Sequence, residues 1–111
     1  MRYQDEMHVF RYRFDKGIIF KEEFILKFEM YNYKHDKCYC VCNLDGSKIA
    51  HRYISEEKIN RINSNSIYLT SEQDDTVLEY FRNKYKYKIA EAENVIKTCN
   101  NYLSNLCIKY K

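Results

Sequence analysis

The sequence predicts an α+β fold: a four-stranded antiparallel meander packed on one long C-terminal amphipathic helix, with one short helix between them. Three observations carry this. After residue 77, apolar residues fall at Leu78, Phe81, Tyr85, Ile89, Ala92, Ile96, Cys99, Leu103, Leu106 and Tyr110. Every step is three or four residues, so these side chains stay on one arc of a helix. Upstream, stretches of alternating character are punctuated by Asp15-Lys16-Gly17 and Asp45-Gly46, which reads as strands joined by hairpin turns. The 111 residues contain no Pro and only two Gly, both in those turns. That suits one domain over residues 1–111, with the sheet at about 7–54, the short helix at about 56–62 and the long helix at about 72–108.

In residues 7–14, His8, Phe10, Tyr12 and Phe14 share one face, and Val9, Arg11 and Arg13 the other. A three-residue loop, Asp15-Lys16-Gly17, with Gly17 left-handed in a G1 bulge, would pair Phe14 with Ile18 and Tyr12 with Phe20. Phe24, Leu26, Phe28 and Met30 keep that parity. A bend is expected at Lys21-Glu22-Glu23, because one strand from 18 to 31 exceeds the usual length. Cys38 to Leu44 forms the third strand. Asp45-Gly46 predicts a two-residue type I′ turn that sets Cys42 opposite Ile49, Cys40 opposite His51 and Cys38 opposite Tyr53. Free cysteine behaves as a small buried hydrophobe, so the cysteine face is read as the inner one. The predicted core is His8, Phe10, Tyr12, Phe14, Phe24, Leu26, Phe28, Cys40, Cys42, Ile49 and Tyr53 against Leu78, Phe81, Tyr85, Ile89 and Ala92.

Ser55 is placed to cap the short helix, with Glu56 and Glu57 at its positive end and Ile54 and Ile59 spaced as a hydrophobic staple. Ile67-Tyr68-Leu69 is a short extended stretch. Thr70 and Gln73 fit a capping box opening the long helix, and Lys109 and Lys111 suit its negative end. At 1.5 Å per residue a helix from Glu72 to Tyr110 would be about 60 Å long, whereas a domain of this size has a radius of gyration of about 13 Å. Cys99, Leu103, Leu106 and Tyr110 would then lie beyond the sheet. A homodimer through the distal helix is expected, unless the chain folds back at Asn100-Asn101.

Composition narrows the function classes. Nineteen Lys and Arg face 16 Asp and Glu, a formal net charge of +3, too even by itself to imply nucleic acid or an anionic membrane. No apolar run approaches the roughly 20 residues that span a bilayer, and residues 1–6 lack the pattern of a signal peptide. Five cysteines, three of them in Cys38-Tyr39-Cys40-Val41-Cys42, are odd in number and clustered. Reduced thiols in a cytoplasm are expected. Twelve Tyr occur with no Trp; the abundance of Tyr, Lys, Asn and Ile fits an A/T-rich coding sequence, and alternatively a tyrosine-dense binding surface.

Chemistry-bearing residues are few. Cys38, Cys40, Cys42 and His51, with His35 nearby, are the one metal-like cluster, but residues i and i+4 of a strand lie about 13 Å apart. They cannot share a zinc ion held at about 2.0–2.3 Å, so no metal and no cofactor is expected. His8, Cys40 and His51 would form a nucleophilic pair, or a small-ligand site, only around an exposed thiolate. Phosphate-cradle and nucleophile-elbow motifs are missing, and catalysis is not expected. Arg82, Lys84, Lys86 and Lys88, with Tyr87 as a stacking surface, are the nucleic-acid alternative. In general character the chain resembles the small accessory proteins of bacteriophages and mobile elements: short, A/T-biased and motif-free, a few strands followed by one long helix. That resemblance implies a non-enzymatic module that binds and inhibits a host protein, such as a defence component, by covering its surface. The surface expected to bind is Arg11, Arg13, Tyr39 and Arg52 on the outer sheet face, with Tyr31 and Tyr33 at a strand end.

Overall fold

The computed structural model describes residues 3–110. Its elements are β1 (Glu6–Asp15), β2 (Ile18–Tyr31), β3 (Lys37–Cys42), β4 (Lys48–Ser55), β5 (Ser66–Leu69) and α1 (Asp74–Asn105). The class is α+β, but the antiparallel sheet has five strands, in the order β4-β3-β2-β1-β5. The extra strand is the Ile67-Tyr68-Leu69 stretch, which returns to the free edge of β1 and sets Phe10 opposite Leu69 and Tyr12 opposite Ile67. A β1 left unpaired on that side would have exposed a long row of backbone groups.

The two hairpins exchange the turn types expected of them. Lys16 and Gly17 both have positive φ, 49° and 89°, and Asp15 pairs with Ile18, so the first loop has two residues in type I′ geometry. The second has three. The Gly46 amide donates to the Asn43 carbonyl, the Asn43 amide donates to the Ser47 carbonyl, and Gly46 takes φ 90°. Each change shifts the register near its turn by one residue, and a one-residue slip turns a strand over. Phe14 therefore pairs with Ile19, Val9 with Phe24 and Met7 with Leu26, so Phe24 and Leu26 share a face with Val9 and not with Tyr12. In the second hairpin Cys42 lies opposite Lys48, and an irregularity in β4 then places Cys40 opposite Tyr53. His51 sits in that irregularity with φ 58°.

The principal core consequently lies on the Val9 face. Val9, Phe24, Leu26, Tyr39, Val41, Ile54, Ile59 and Tyr68 form one buried cluster, with Met7, Phe28 and Ile49 packed on it. Of the predicted core, Phe24, Leu26, Phe28 and Ile49 belong here. Tyr12, Cys40 and Cys42 are buried on the opposite face, while His8 and Tyr53 are exposed. Residues 21–23 carry no bend; the irregularity of β2 falls between Phe28 and Met30.

The predicted helix at 56–62 is only a 3₁₀ turn, Glu56–Lys58, and the Ser55 side chain does not cap it. Ile59 is already extended, at φ −74° and ψ 138°, and Asn60 follows at φ 61°. The Asn60 side-chain oxygen accepts from the Thr70 amide at 2.9 Å, and its backbone amide donates to the Tyr68 carbonyl. A side chain bonded to a distant backbone competes with the helix. The same contact occupies Thr70, so no capping box forms, and α1 starts at Asp74 instead of near residue 72. At the other end the Asn105 side chain donates to the Asn101 carbonyl, satisfying one of the last carbonyls. Lys109 lies past that end, and Lys111 is outside the described residues.

The chain divides into two compact units, residues 1–74 and 75–111. The first contains the sheet. The second is a helix whose buried residues are Val77 and Phe81; Leu78, Ile89 and Ala92, expected as core, are exposed. It shows no break at Asn100-Asn101. No helix among the described residues is long and apolar enough to cross a membrane.

Candidate functional site

The Val9 face continues, toward the first hairpin, into a row of arginines. Alternation along β1 puts Arg11 and Arg13 on the same side as Val9, opposite Glu22 and Phe20 of β2. On the other flank Tyr68 lies opposite Arg11, and Ser66 opposite Arg13. Arg52 reaches the same surface from β4. Each guanidinium lies over a ring: Arg13 is 4.6 Å from the Phe20 centroid, Arg11 5.8 Å from Tyr68 and Arg52 5.8 Å from Phe24. Such stacking holds the planar fork in one orientation while its charge faces outward.

Two carboxylates are set among them, Glu22 and Asp15, the latter 3.9 Å from Arg13. Glu22 accepts from Arg11 at 3.2 Å and lies 3.7 Å from Arg13, and Arg11 Nε also donates to the Ser66 hydroxyl at 3.0 Å. Arg11 is thus the most constrained of the three. Phe20 keeps about 40% of its surface exposed. Burial pushes the Tyr68 phenol above its ordinary pKa, against the opposing pull of Arg11 and Arg52. Next to this face is a cleft of about 390 Å³ lined by Ile54, Lys58, Asn63, Ser66 and Tyr68, among others.

The six residues expected to bind a partner are only partly brought together. Arg11, Arg13 and Arg52 share the surface just described. Tyr39 is excluded from it. At 0% exposure it is one of the largest fully buried side chains, because the register sets it opposite Phe28 and Ile54 on the core side. Burial first, and the nearby Glu56 and Asp5 carboxylates next, push its phenol up to about 12. Tyr31 and Tyr33 are exposed but lie at the far end of β2. Tyr31 is eleven residues from Phe20, about 36 Å along a strand. It lines a separate cleft of about 440 Å³ with His35, Asp36, Lys37 and Glu56, and Lys34 lies over the Tyr33 ring. The signal that sequence reasoning missed is the aromatic partner of each arginine. Phe20, Phe24 and Tyr68 become visible only once the two-residue hairpin and β5 are recognised.

The His8, Cys40 and His51 group is dispersed. His8 Nε2 lies 3.1 Å from Glu23, His51 sits in the β4 irregularity, and the Cys40 thiol contacts Cys42 at 3.3 Å. Burial, then the neighbouring Cys42 thiol, pushes the Cys40 pKa up to about 11, leaving it a thiol at neutral pH. No group of three or more His, Cys, Asp or Glu that could hold a metal occurs among the described residues. On α1, Arg82, Lys86, Tyr87 and Lys88 are exposed, with Lys84 and Lys88 lying over Tyr85. At 100° per residue, 82 and 86 fall on one side and 84 and 88 on the other, so the cations make two pairs and no single stripe.

Comparison of the chain with protein-family models, with curated proteins and with solved structures finds no match.

Proposed function

We propose that this chain is a non-enzymatic binding module that engages a protein partner through the face formed by Arg11, Arg13 and Arg52. The observation that supports this is three arginines stacked on three aromatic rings, with the Glu22 and Asp15 carboxylates paired to two of them. Arginine and aromatic side chains dominate binding energy at interfaces when they are held in place before contact. Three cations against the two carboxylates paired with them leave the face net positive, which favours an acidic surface on the partner. The general resemblance to phage and mobile-element accessory proteins supplies the biological class, an inhibitor that covers a host protein, for instance of a defence system. Its setting would be the host cytoplasm, where five cysteines remain thiols.

The test compares the native sequence with an Arg13→Glu/Arg52→Glu variant. Both stack at the rim and neither is buried, so the melting temperature should change little. Affinity capture from host lysate identifies the partner, and titration of that purified partner gives the two affinities. The reading expects a loss of about tenfold or more for the variant. Equal affinities at unchanged stability would refute it. Recovery of nucleic acid, with affinity falling steeply as salt rises, would move the function to Arg82–Lys88.

A further inference from the structure

The helix carries a second pattern, independent of the arginine face. From residue 89 one apolar stripe runs through Ile89, Ala92, Ile96, Cys99 and Leu103, flanked by Val95 and Tyr102, and the same spacing continues beyond the helix end to Leu106 and Tyr110. The steps run three, four, three, four, three, four, a mean of 3.5. A helix that covers a globular core averages 3.6, and the 3.5 spacing held over the two heptads from 89 to 103 is that of a seam facing another helix. The seam is unpartnered: Ile89, Ile96 and Leu103 keep 59%, 60% and 71% of their surface exposed, and Ala92 and Cys99 are exposed too.

We propose that α1 is one strand of a parallel, in-register, two-stranded coiled coil with a second copy of this chain. Within the helix, Ile89, Ile96 and Leu103 take the a positions and Ala92 and Cys99 the d positions. Ile89 and Ile96 are β-branched at a, as in two-stranded coils, and the small Ala92 and Cys99 at d let the two helices approach. Apart from Ala90, the outer positions hold polar residues, among them Glu91, Asn94, Lys97, Thr98, Asn101 and Ser104, which suits a surface facing water. Charge sets the direction. Lys88 is at g and Glu93 at the e position of the next heptad, so in a parallel pair each Lys88 meets Glu93 of the other copy, twice per dimer. In an antiparallel pair g faces g and e faces e of the other copy, so Lys88 and Glu93 would not meet. In the parallel register alone, Cys99 stands directly across from Cys99 of the second copy.

Sedimentation equilibrium of the full chain across the micromolar range, with and without mild diamide oxidation, tests this. A dimer mass is expected. Two Cys99 thiols should give up two protons and two electrons to diamide, which becomes its hydrazine, leaving a Cys99–Cys99 disulfide that peptide mapping identifies. A Cys107→Ser background removes the other exposed thiol of this segment. The Ile96→Glu variant, changed at a site remote from the sheet in sequence, should be monomeric with the sheet's thermal transition unchanged. A monomer at every concentration, a trimer, or a dimer in which Cys99 does not cross-link would each overturn the proposal. None of these outcomes bears on the arginine face, which the affinity comparison tests separately.

Discussion

The Tyr12 hydroxyl donates to the Asp74 carboxylate and accepts from the Gln73 amide at 3.1 Å, so both of its roles are used. The Tyr39 hydroxyl, fully buried, makes no well-aligned hydrogen bond among the described residues, with the Glu56 carboxylate its nearest acidic neighbour. Removing a used hydroxyl strands its partners, whereas removing an unused one relieves a desolvated dipole. Tyr12→Phe should therefore cost about 1 kcal/mol or more, and Tyr39→Phe should be neutral or stabilising by up to about 1 kcal/mol. Urea midpoints of the two variants check this; a marked loss for Tyr39→Phe would contradict the placement. Asp74 also has a pH signature. The Tyr12 hydroxyl, then Lys21, hold its pKa below the ordinary carboxylate value. A depressed carboxylate stabilises the fold above its unfolded pKa, and that stability is lost as pH falls through the folded value. Stability should decline below about pH 4, and Asp74→Asn should flatten that decline. A variant whose acid profile matches the native one would contradict this role.

The strands, their order through β4 and the long helix were legible because alternation and helical spacing are properties of local sequence. Which way each strand faces was not. That depends on whether Asp-Lys-Gly closes with two residues or three, and on whether Asp-Gly is the whole turn or the end of a longer one. Both turns can be built from these residues, and one residue of difference exchanges the faces. The short helix failed for a different reason: Asn60 bonds to Thr70, a tertiary contact that no window around Ser55 contains. The observed register makes two element-scale predictions. Leu26, at 0% exposure, should cost about 2–5 kcal/mol as Leu26→Ala, and a loss below about 1 kcal/mol in denaturant melts would reject the Val9 face as core. Gly17→Ala should cost about 1–2 kcal/mol by strain alone, since φ is 89° while no atom lies within 4 Å of the added Cβ. A neutral outcome would contradict the left-handed conformation of Gly17 in this turn.

At the scale of the molecule, the arginines and the tyrosines expected to bind together part company. Arg11, Arg13 and Arg52 were identifiable from charge and alternation, and they converge. Tyr39 passes into the core with the register, and Tyr31 and Tyr33 go to the far end of β2. What remains is a compact arginine–aromatic surface on a five-stranded sheet and, in the other unit, a helix with an open 3.5-residue seam. One surface suits a foreign acidic partner and the other a copy of the chain, so binding and self-association should be separable by mutation. The most direct test of binding through the sheet is arginine-selective modification with phenylglyoxal, quantified by mass spectrometry with and without the captured partner. The account predicts strong protection of Arg13 and Arg52 in the complex, with Arg82 modified equally in both states. Protection of Arg82 while Arg13 and Arg52 stay fully reactive would contradict it.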